Sequence, residues 1–284
     1  MDPLEFRRKN LIHGYYEDAY LKPIAANTNG IFECLEKGAE YIHWDEKRKA
    51  YQNQTGDIRR GVGMALFSYK TGVWPISLEI AGARLSLNQD GSVQLQVGAT
   101  EIGQGADTVF SQMAAETLHM DISRVHIVTQ QDTDVTPFDT GAYASRQSFV
   151  TGTAVKECAQ QLKQKILEYA RTLVPGNVDR LELEDGYILA DGKPAISLED
   201  LAMESYYSLS NSSVLTAEVS RQVKKNTVAS GCCFAEVEVD MKLGKIKVLD
   251  IVNVHDSGTL LNPQLAAMQV HGGMFMGILS LIPI

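Results

Sequence analysis

Two periods of apolar and polar positions alternate along this chain, and the points where one gives way to the other mark its elements. ARLSLNQDGSVQLQV (83–97) alternates on both sides of an Asp-Gly pair, which predicts a β-hairpin. RLELEDGYILADGKP (180–194) repeats the signal, and CFAEVEVDMKLGKIKVLDIVNVHDSG (233–258) predicts a third hairpin with longer arms. RGVGMALF (60–67) and VHIVTQ (125–130) read as single strands. The helical period appears at 4–12 and at 29–52, where Ile31, Phe32, Leu35, Ala39 and Ile42 share a face and Asn29 is placed to cap it. It returns after the glycine loop at 103–105, running to residue 119 with Val109, Met113, Ala114, Ala115 and Leu118 as its buried stripe. A long helix is predicted next over 147–172, with Val150, Ala154, Cys158, Leu162, Ile166 and Tyr169 on one side. Shorter helices are predicted at 197–207, capped by Ser197, and at 262–277, with Pro263 in the first turn. Residues 131–145, rich in Asp, Thr, Gly and Pro, read as a long loop, and 208–215 is the most linker-like piece.

One order of elements occurs twice: a hairpin, a glycine-containing loop and a helix, at 83–119 and again at 233–277. The pattern predicts an α+β fold of two similar subdomains, each a hairpin-rich mixed sheet packed with helices, whose helix N-termini meet across a cleft. The division it suggests is a helical N-terminal segment (1–58), a first subdomain (59–215) and a second hairpin–helix subdomain (216–284).

Composition narrows the class. Apolar residues at 44% and charged residues at 21% are ordinary globular usage, enough for a substantial core. A net charge of −9 argues against a nucleic-acid partner, which needs a basic face to displace counterions. The four cysteines lack any C-x-x-C spacing, so zinc and iron–sulfur ligation are not expected. They read as reduced, mostly buried thiols of a cytoplasmic protein. MDPLEFRRKNLIHG has no secretory apolar stretch, and the apolar tail GGMFMGILSLIPI, about a dozen residues, is too short to span a bilayer.

Candidate chemistry starts at GATEIGQG (98–105). This is nearly a triphosphate loop, but Gln104 and Gly105 stand where Lys and Ser/Thr would be needed. Backbone N–H groups entering a helix form an anion cradle, so a phosphate could be held although phosphoryl transfer could not be run. A plain glycine turn and a degenerate triphosphate site are the alternatives. In DTGAYASRQSFVTGTAV (139–155), small residues (Gly141, Ala142, Ala144, Ser145) precede a helix with Arg146 and Gln147 at its mouth. Small side chains let a bulky ligand press on the backbone and Arg146 could pair with phosphate; the plainer reading is a capping segment with Ser145 as cap. Gln269 sits in apolar surroundings two turns into the last helix, near His271, and GVGMALF (61–67) by itself reads only as a buried strand. His255 and Asp256, adjacent on a strand, point to opposite faces and make a poor relay.

Taken together, DGSVQLQVGATEIGQGADT, AYASRQSFVTGTAV and EVEVD…NPQLAAMQVHGG resemble, in order, the molybdenum-binding subunit of the xanthine dehydrogenase/aldehyde oxidase family. The resemblance runs from LEFRRKN to about Gly277, and SRQ after the small-residue loop is nearest the bacterial xanthine dehydrogenase type. It implies a molybdenum–molybdopterin cofactor, in a form that could carry a cytosine dinucleotide. By the same resemblance Gly103, Gln104 and Gly105 grip its phosphate and pterin, and Ala142, Tyr143, Ala144, Ser145, Arg146 and Gln147 form a second cofactor loop. The backbone at Ala144 approaches the metal, Gln269 lies on the pterin side, and Met64 and Ala65 help wall the substrate pocket. The implied activity is an oxidoreductase that hydroxylates purines, related heterocycles or aldehydes with water. The implied partners are an iron–sulfur subunit and an FAD subunit, because no cluster motif occurs here.

The resemblance also implies that the catalytic glutamate belongs to a glycine-rich motif beyond residue 284, and that substrate-orienting glutamate and arginine precede Met1. No residue of this chain is therefore expected to be catalytic. This leaves two readings: an internal piece that builds the cofactor cradle and needs complementing segments, or a non-catalytic remnant of such a subunit.

Overall fold

In a computed structural model of the protein, residues 1–11, 16–17, 23–24 and 30–279 are described. The chain runs through α1 (Pro3–Asn10), the short strands β1 (Tyr16–Glu17) and β2 (Pro23–Ile24), α2 (Gly30–Ile42), α3 (Trp44–Ala50) and β3 (Ile58–Thr71). It continues through β4 (Ile80–Leu87), β5 (Val93–Val97), α4 (Ala106–Leu118), β6 (Val125–Ile127) and α5 (Gln147–Leu173). The remaining elements are β7 (Leu181–Glu184), β8 (Tyr187–Ala190), β9 (Lys193–Ser197), α6 (Leu198–Tyr207), β10 (Thr216–Gln222), β11 (Thr227–Asp240), β12 (Lys245–Asp256) and α7 (Pro263–Leu279).

These elements form two compact units, Gly72–Lys225 and Met1–Thr71 with Asn226–Ile284. The boundaries differ from the division at 58 and 215 because strand pairing over long sequence separation decides membership. β3 pairs antiparallel with β11 along its whole length, from Ile58↔Asp240 to Thr71↔Thr227. β10 pairs with β4, from Thr216↔Ser86 to Gln222↔Ile80, which keeps residues 216–222 in the middle unit.

The unit of residues 72–225 is built on a sheet of order β10-β4-β5-β6, antiparallel except for the β5–β6 pair. Alternate residues Ala83, Leu85 and Leu87 of β4 and Val93, Leu95 and Val97 of β5 are fully buried. They pack with Phe110, Ala114 and Leu118 of α4 and with Ala154, Cys158, Leu162 and Ile166 of α5. Each large side chain in this cluster contributes roughly 1.5–3 kcal/mol by leaving water. The small sheet β7-β8-β9 joins the same core through Leu183 and Ile188, alongside Leu198 and Leu201 of α6. Ser197 caps α6 as expected, its hydroxyl accepting from the Asp200 N–H at 3.0 Å.

The other unit carries the sheet β12-β11-β3, with α2 packed on it around Leu35, Ile42, Trp44, Cys232 and Phe234. Gly38 lets α2 approach: a Cβ there would lie 2.4 Å from the Phe234 ring. The helix expected over 29–52 is broken at His43, which turns left-handed (φ 58°) and swings Trp44 edge-on to Phe234, ring centroids 5.7 Å apart. Asn29, its expected cap, lies outside the described residues. The last helix begins at Pro263, and Asn262 Oδ1 accepts from the Leu265 N–H at 3.0 Å. No described residue of α7 is buried. Among the described residues no helix is long and apolar enough to cross a membrane.

Candidate functional site

Both glycine-rich stretches with helix mouths lie in the unit of residues 72–225, and the two mouths differ in how far their donors are matched. At α4, Gly103 (φ 98°) and Gly105 (φ 86°) turn left-handed, a conformation that costs glycine nothing. The chain therefore folds back on itself between β5 and α4. The donors this exposes are taken by the chain's own Glu101. Its Oε1 accepts from the N–H of Gly103 at 2.6 Å and of Gly105 at 3.1 Å, and its Oε2 from that of Asp107 at 3.1 Å. A carboxylate thus occupies the positive end of α4. Burial pushes the Glu101 carboxyl up, but the N–H donors of Asp107, Gly105, Gly103 and Ala106 outweigh it and hold it below the usual range. Asp107 shifts the opposite way, raised by burial and then by the charge of Glu101, and its Oδ1 is buried without a hydrogen-bond partner.

The side chain of Gln104 turns back over this loop. Its Oε1 accepts from the Ile102 N–H at 2.7 Å, and its Nε2 donates to Thr100 O at 3.1 Å and to Gln147 Oε1 at 2.5 Å. Gln147 Nε2 donates to the same Thr100 carbonyl at 3.0 Å. The structure therefore brings the stretch 103–105 and the stretch 142–147 together, through two amides that share one backbone acceptor.

At α5 the mouth is open. Ala144 (φ 48°) and Ser145 (φ 51°) are both left-handed although neither is glycine, a strain of order 1–3 kcal/mol each. Arg146 then returns to right-handed geometry and its carbonyl accepts from Phe149 and Val150. Ser145 is not the cap: the N-cap position falls on Arg146, with no side-chain capping bond. Among the described residues, the N–H groups of Ala144, Ser145, Gln147 and Ser148 have no acceptor. Successive N–H groups in such a turn make a concave anion site. Ala142, Tyr143, Ser145 and Ser148 are exposed, Ala144 is half-buried and Gln147 is buried.

Arg146, expected to meet a phosphate, instead faces inward. Its side chain has no exposure, and neither do those of its two carboxylate partners. Nε donates to Glu79 Oε2 at 2.6 Å, Nη1 to Asp139 Oδ1 at 2.6 Å and to Gly141 O at 3.0 Å, and Nη2 to Ile80 O at 2.8 Å. Burial alone would lower its pKa, but the bonds and charges of Glu79 and Asp139 raise it, and it stays a cation.

The other three expected residues lie in the second unit. Met64 and Ala65 sit at the centre of β3, opposite Phe234 and Cys233 of β11; Met64 packs partly against the core and Ala65 is exposed. Gln269 is exposed on α7 and lines a cavity of about 560 Å³ with Phe67, Cys233, Asn253, His255 and Met274. The His255 ring lies tilted against that of Phe67, centroids 5.1 Å apart, and burial pushes its imidazole below the usual range. Among the described residues no cluster of His, Cys, Asp or Glu is arranged to hold a metal ion.

Sequence reasoning missed Glu101, Glu79 and Asp139. Glu101 had a local signal, a glutamate just ahead of a helix whose first-turn donors need an acceptor. Glu79 had none, because its partner is 67 residues away.

Comparison with known proteins places these loops in context. Residues 37–280 match the sequence profile described as the molybdopterin cofactor-binding domain. The chain is 47% identical over 284 residues to the putative xanthine dehydrogenase molybdenum-binding subunit XdhA of Escherichia coli K12, covering 98% of this chain and 37% of that protein. It is 26% identical to the aldehyde oxidoreductase molybdenum-binding subunit PaoC of the same organism, over 98% of this chain and 36% of that one. Among solved structures, quinoline 2-oxidoreductase from Pseudomonas putida 86 superposes with a TM-score of 0.82 at 22% identity, covering 96% of this chain and 37% of that one.

Proposed function

Since the chain belongs to the molybdopterin cofactor-binding domain family, we propose that its unit of residues 72–225 is a cofactor grip in a xanthine dehydrogenase-like oxidoreductase. The open mouth of α5 carries this reading. Its N–H groups at Ala144, Ser145, Gln147 and Ser148 are donors without acceptors among the described residues, suited to the phosphate and ring oxygens of a molybdopterin. Ala142 and Ala144 keep side-chain bulk away from that backbone, so the chain itself can lie against the cofactor. When bound, such a cofactor supplies the molybdenum centre at which a substrate carbon is oxidised with oxygen drawn from water.

The residues of this chain then have separable tasks. Ala142 to Gln147 present the donors. Gln104 and Gln147, bonded to each other and to Thr100, fix the spacing between the two loops. Glu101 takes the N–H groups of Gly103, Gly105 and Asp107, so Gly103 and Gly105 serve as the shaped wall of the grip rather than as its phosphate cradle. Gln269, Met64 and Ala65 enter on the resemblance, as pterin-side and substrate-side residues.

The substrate class is a purine, a related heterocycle or an aldehyde, and the electrons leave through an iron–sulfur subunit and an FAD subunit in the cytoplasm. The chain spans 37% of the length of its curated relative, so turnover requires further polypeptide of the molybdenum subunit. A soluble, purified chain incubated with molybdopterin should retain pterin at one equivalent, read by the fluorescence of its oxidised derivative after gel filtration. Absence of retention would favour the second reading, a non-catalytic remnant.

A further inference from the structure

The open mouth of α5 has a conformation that the loop would not adopt unaided. Two consecutive non-glycine residues, Ala144 and Ser145, are left-handed. On the outer surface, Tyr143 donates to the Thr140 hydroxyl at 2.9 Å, a bond within the loop itself that ties it to no other segment. Next in the chain is Arg146, whose guanidinium reaches into the protein and touches the segments that border the loop. Through Glu79 and the Ile80 carbonyl it is tied to the entrance of β4. Through Asp139 and the Gly141 carbonyl it is tied to the loop's own beginning.

Those partners are themselves fixed. Asp139 Oδ1 accepts from the Gly141 N–H at 2.8 Å, and its Oδ2 from the Thr151 hydroxyl of α5 at 2.8 Å. Glu79 Oε1 accepts from the Val73 N–H at 2.5 Å, and the Glu79 carbonyl from the Val223 N–H. The neighbouring Gly72 N–H donates to the Ala144 carbonyl at 2.9 Å, which turns that carbonyl inward. The three charged side chains are sealed from solvent, where loss of one partner leaves a charge uncompensated.

We propose that Arg146 is a positioning residue: clamped inward by Glu79 and Asp139, it holds the backbone of 141–148 in the conformation that leaves its N–H groups unmatched, and so sets cofactor affinity without touching the cofactor. This rests on the reading of that loop as the cofactor grip. The planar fork is essential to it, since three of its nitrogens reach four acceptors, Glu79, Ile80, Asp139 and Gly141; a lysine point charge cannot replace it.

The test uses the 284-residue chain and its R146K and R146M variants, with molybdopterin as the probe. Amide hydrogen exchange of 141–148, read at its hydrogen-bonded N–H groups, Gly141 and Arg146, is compared with that of α4, and pterin retention is measured on the same samples. R146K is expected to speed exchange at 141–148 at least about tenfold while α4 keeps its protection, and to weaken pterin affinity by a similar factor. Unchanged exchange at 141–148 in both variants would overturn the proposal. So would loss of pterin with the loop still protected, because that would make Arg146 a direct contact. If the unsubstituted chain retains no pterin, the cofactor reading fails, and the exchange comparison still decides whether Arg146 is the clamp. If R146M does not fold, R146K carries the comparison, and Thr151→Val, which removes one bond to Asp139, should loosen the same segment to a smaller extent.

Discussion

The mouths of α4 and α5 begin from the same problem and end in opposite states. Each lies just after a glycine-containing loop, and each exposes backbone donors that no helix can satisfy by itself. At α4 the chain supplies its own anion, Glu101. At α5 it supplies none, and the cation at that mouth, Arg146, is turned inward to two buried carboxylates. The glycine signature that resembles a phosphate loop marks the closed mouth, whereas the mouth without such a signature is the one left open to a ligand. Donors alone do not make a binding site; what matters is whether the fold has already matched them.

The comparison can be broken most severely at the clamp. Asp139→Ala leaves Arg146 with one carboxylate fewer and Thr151 and Gly141 without their acceptor. It should cost roughly 3–5 kcal/mol in chemical denaturation, and a loss below about 1 kcal/mol would mean that the cluster does not hold the loop.

Next in size is the conversion of one mouth into the other. Glu101→Ala should cost about 1–3 kcal/mol by leaving the α4 donors unmatched. It should also make stability depend on inorganic phosphate, which can enter the vacated position. A variant whose melting is indifferent to phosphate would show that the α4 donors find another partner.

How far the sequence led differs between these two levels. The Asp-Gly hairpins read at 83–97 and 180–194 and the buried stripe of α5 arise from local periodicity; β4–β5 and β7–β8 form at these places, and Val150, Ala154, Cys158, Leu162 and Ile166 are fully buried. The strand β10 was hidden behind a polar linker, because only its pairing with β4 across more than a hundred residues makes TAEVSRQ a strand. The strand expected over 125–130 ends at Ile127, where its pairing with β5 stops. At the site, spacing identified both loops but not the direction of their side chains. Arg146 reads as a phosphate partner until Glu79, distant in sequence, is seen beside it. Gln104 and Gln147 were each legible, while their mutual bond was not.

Acid sharpens the contrast more gently. The Glu101 carboxyl is held below the usual range, so its contribution is fully present above the unfolded glutamate pKa, about 4.3. It is lost as pH falls through the folded value. Stability below about pH 4.3 should therefore fall less steeply in Glu101→Gln than in the unsubstituted chain, as measured by urea denaturation across roughly pH 2.5–6. Identical slopes would remove Glu101 from the α4 mouth.

The smallest expected effect is at the seam. Gln104→Ala and Gln147→Ala should each cost about 0.5–1.5 kcal/mol, and the double variant should lose less than the sum because they share one bond. Strict additivity would mean that the two amides act independently.

The most direct measurement is an amide chemical-shift map of the 284-residue chain titrated with molybdopterin. The N–H resonances of Ala144, Ser145, Gln147 and Ser148 should move together with saturation, while those of Gly103, Gly105 and Asp107 keep the shifts set by Glu101. Saturating changes at Gly103, Gly105 and Asp107 with the α5 mouth unmoved would contradict the assignment of the open mouth as the cofactor grip.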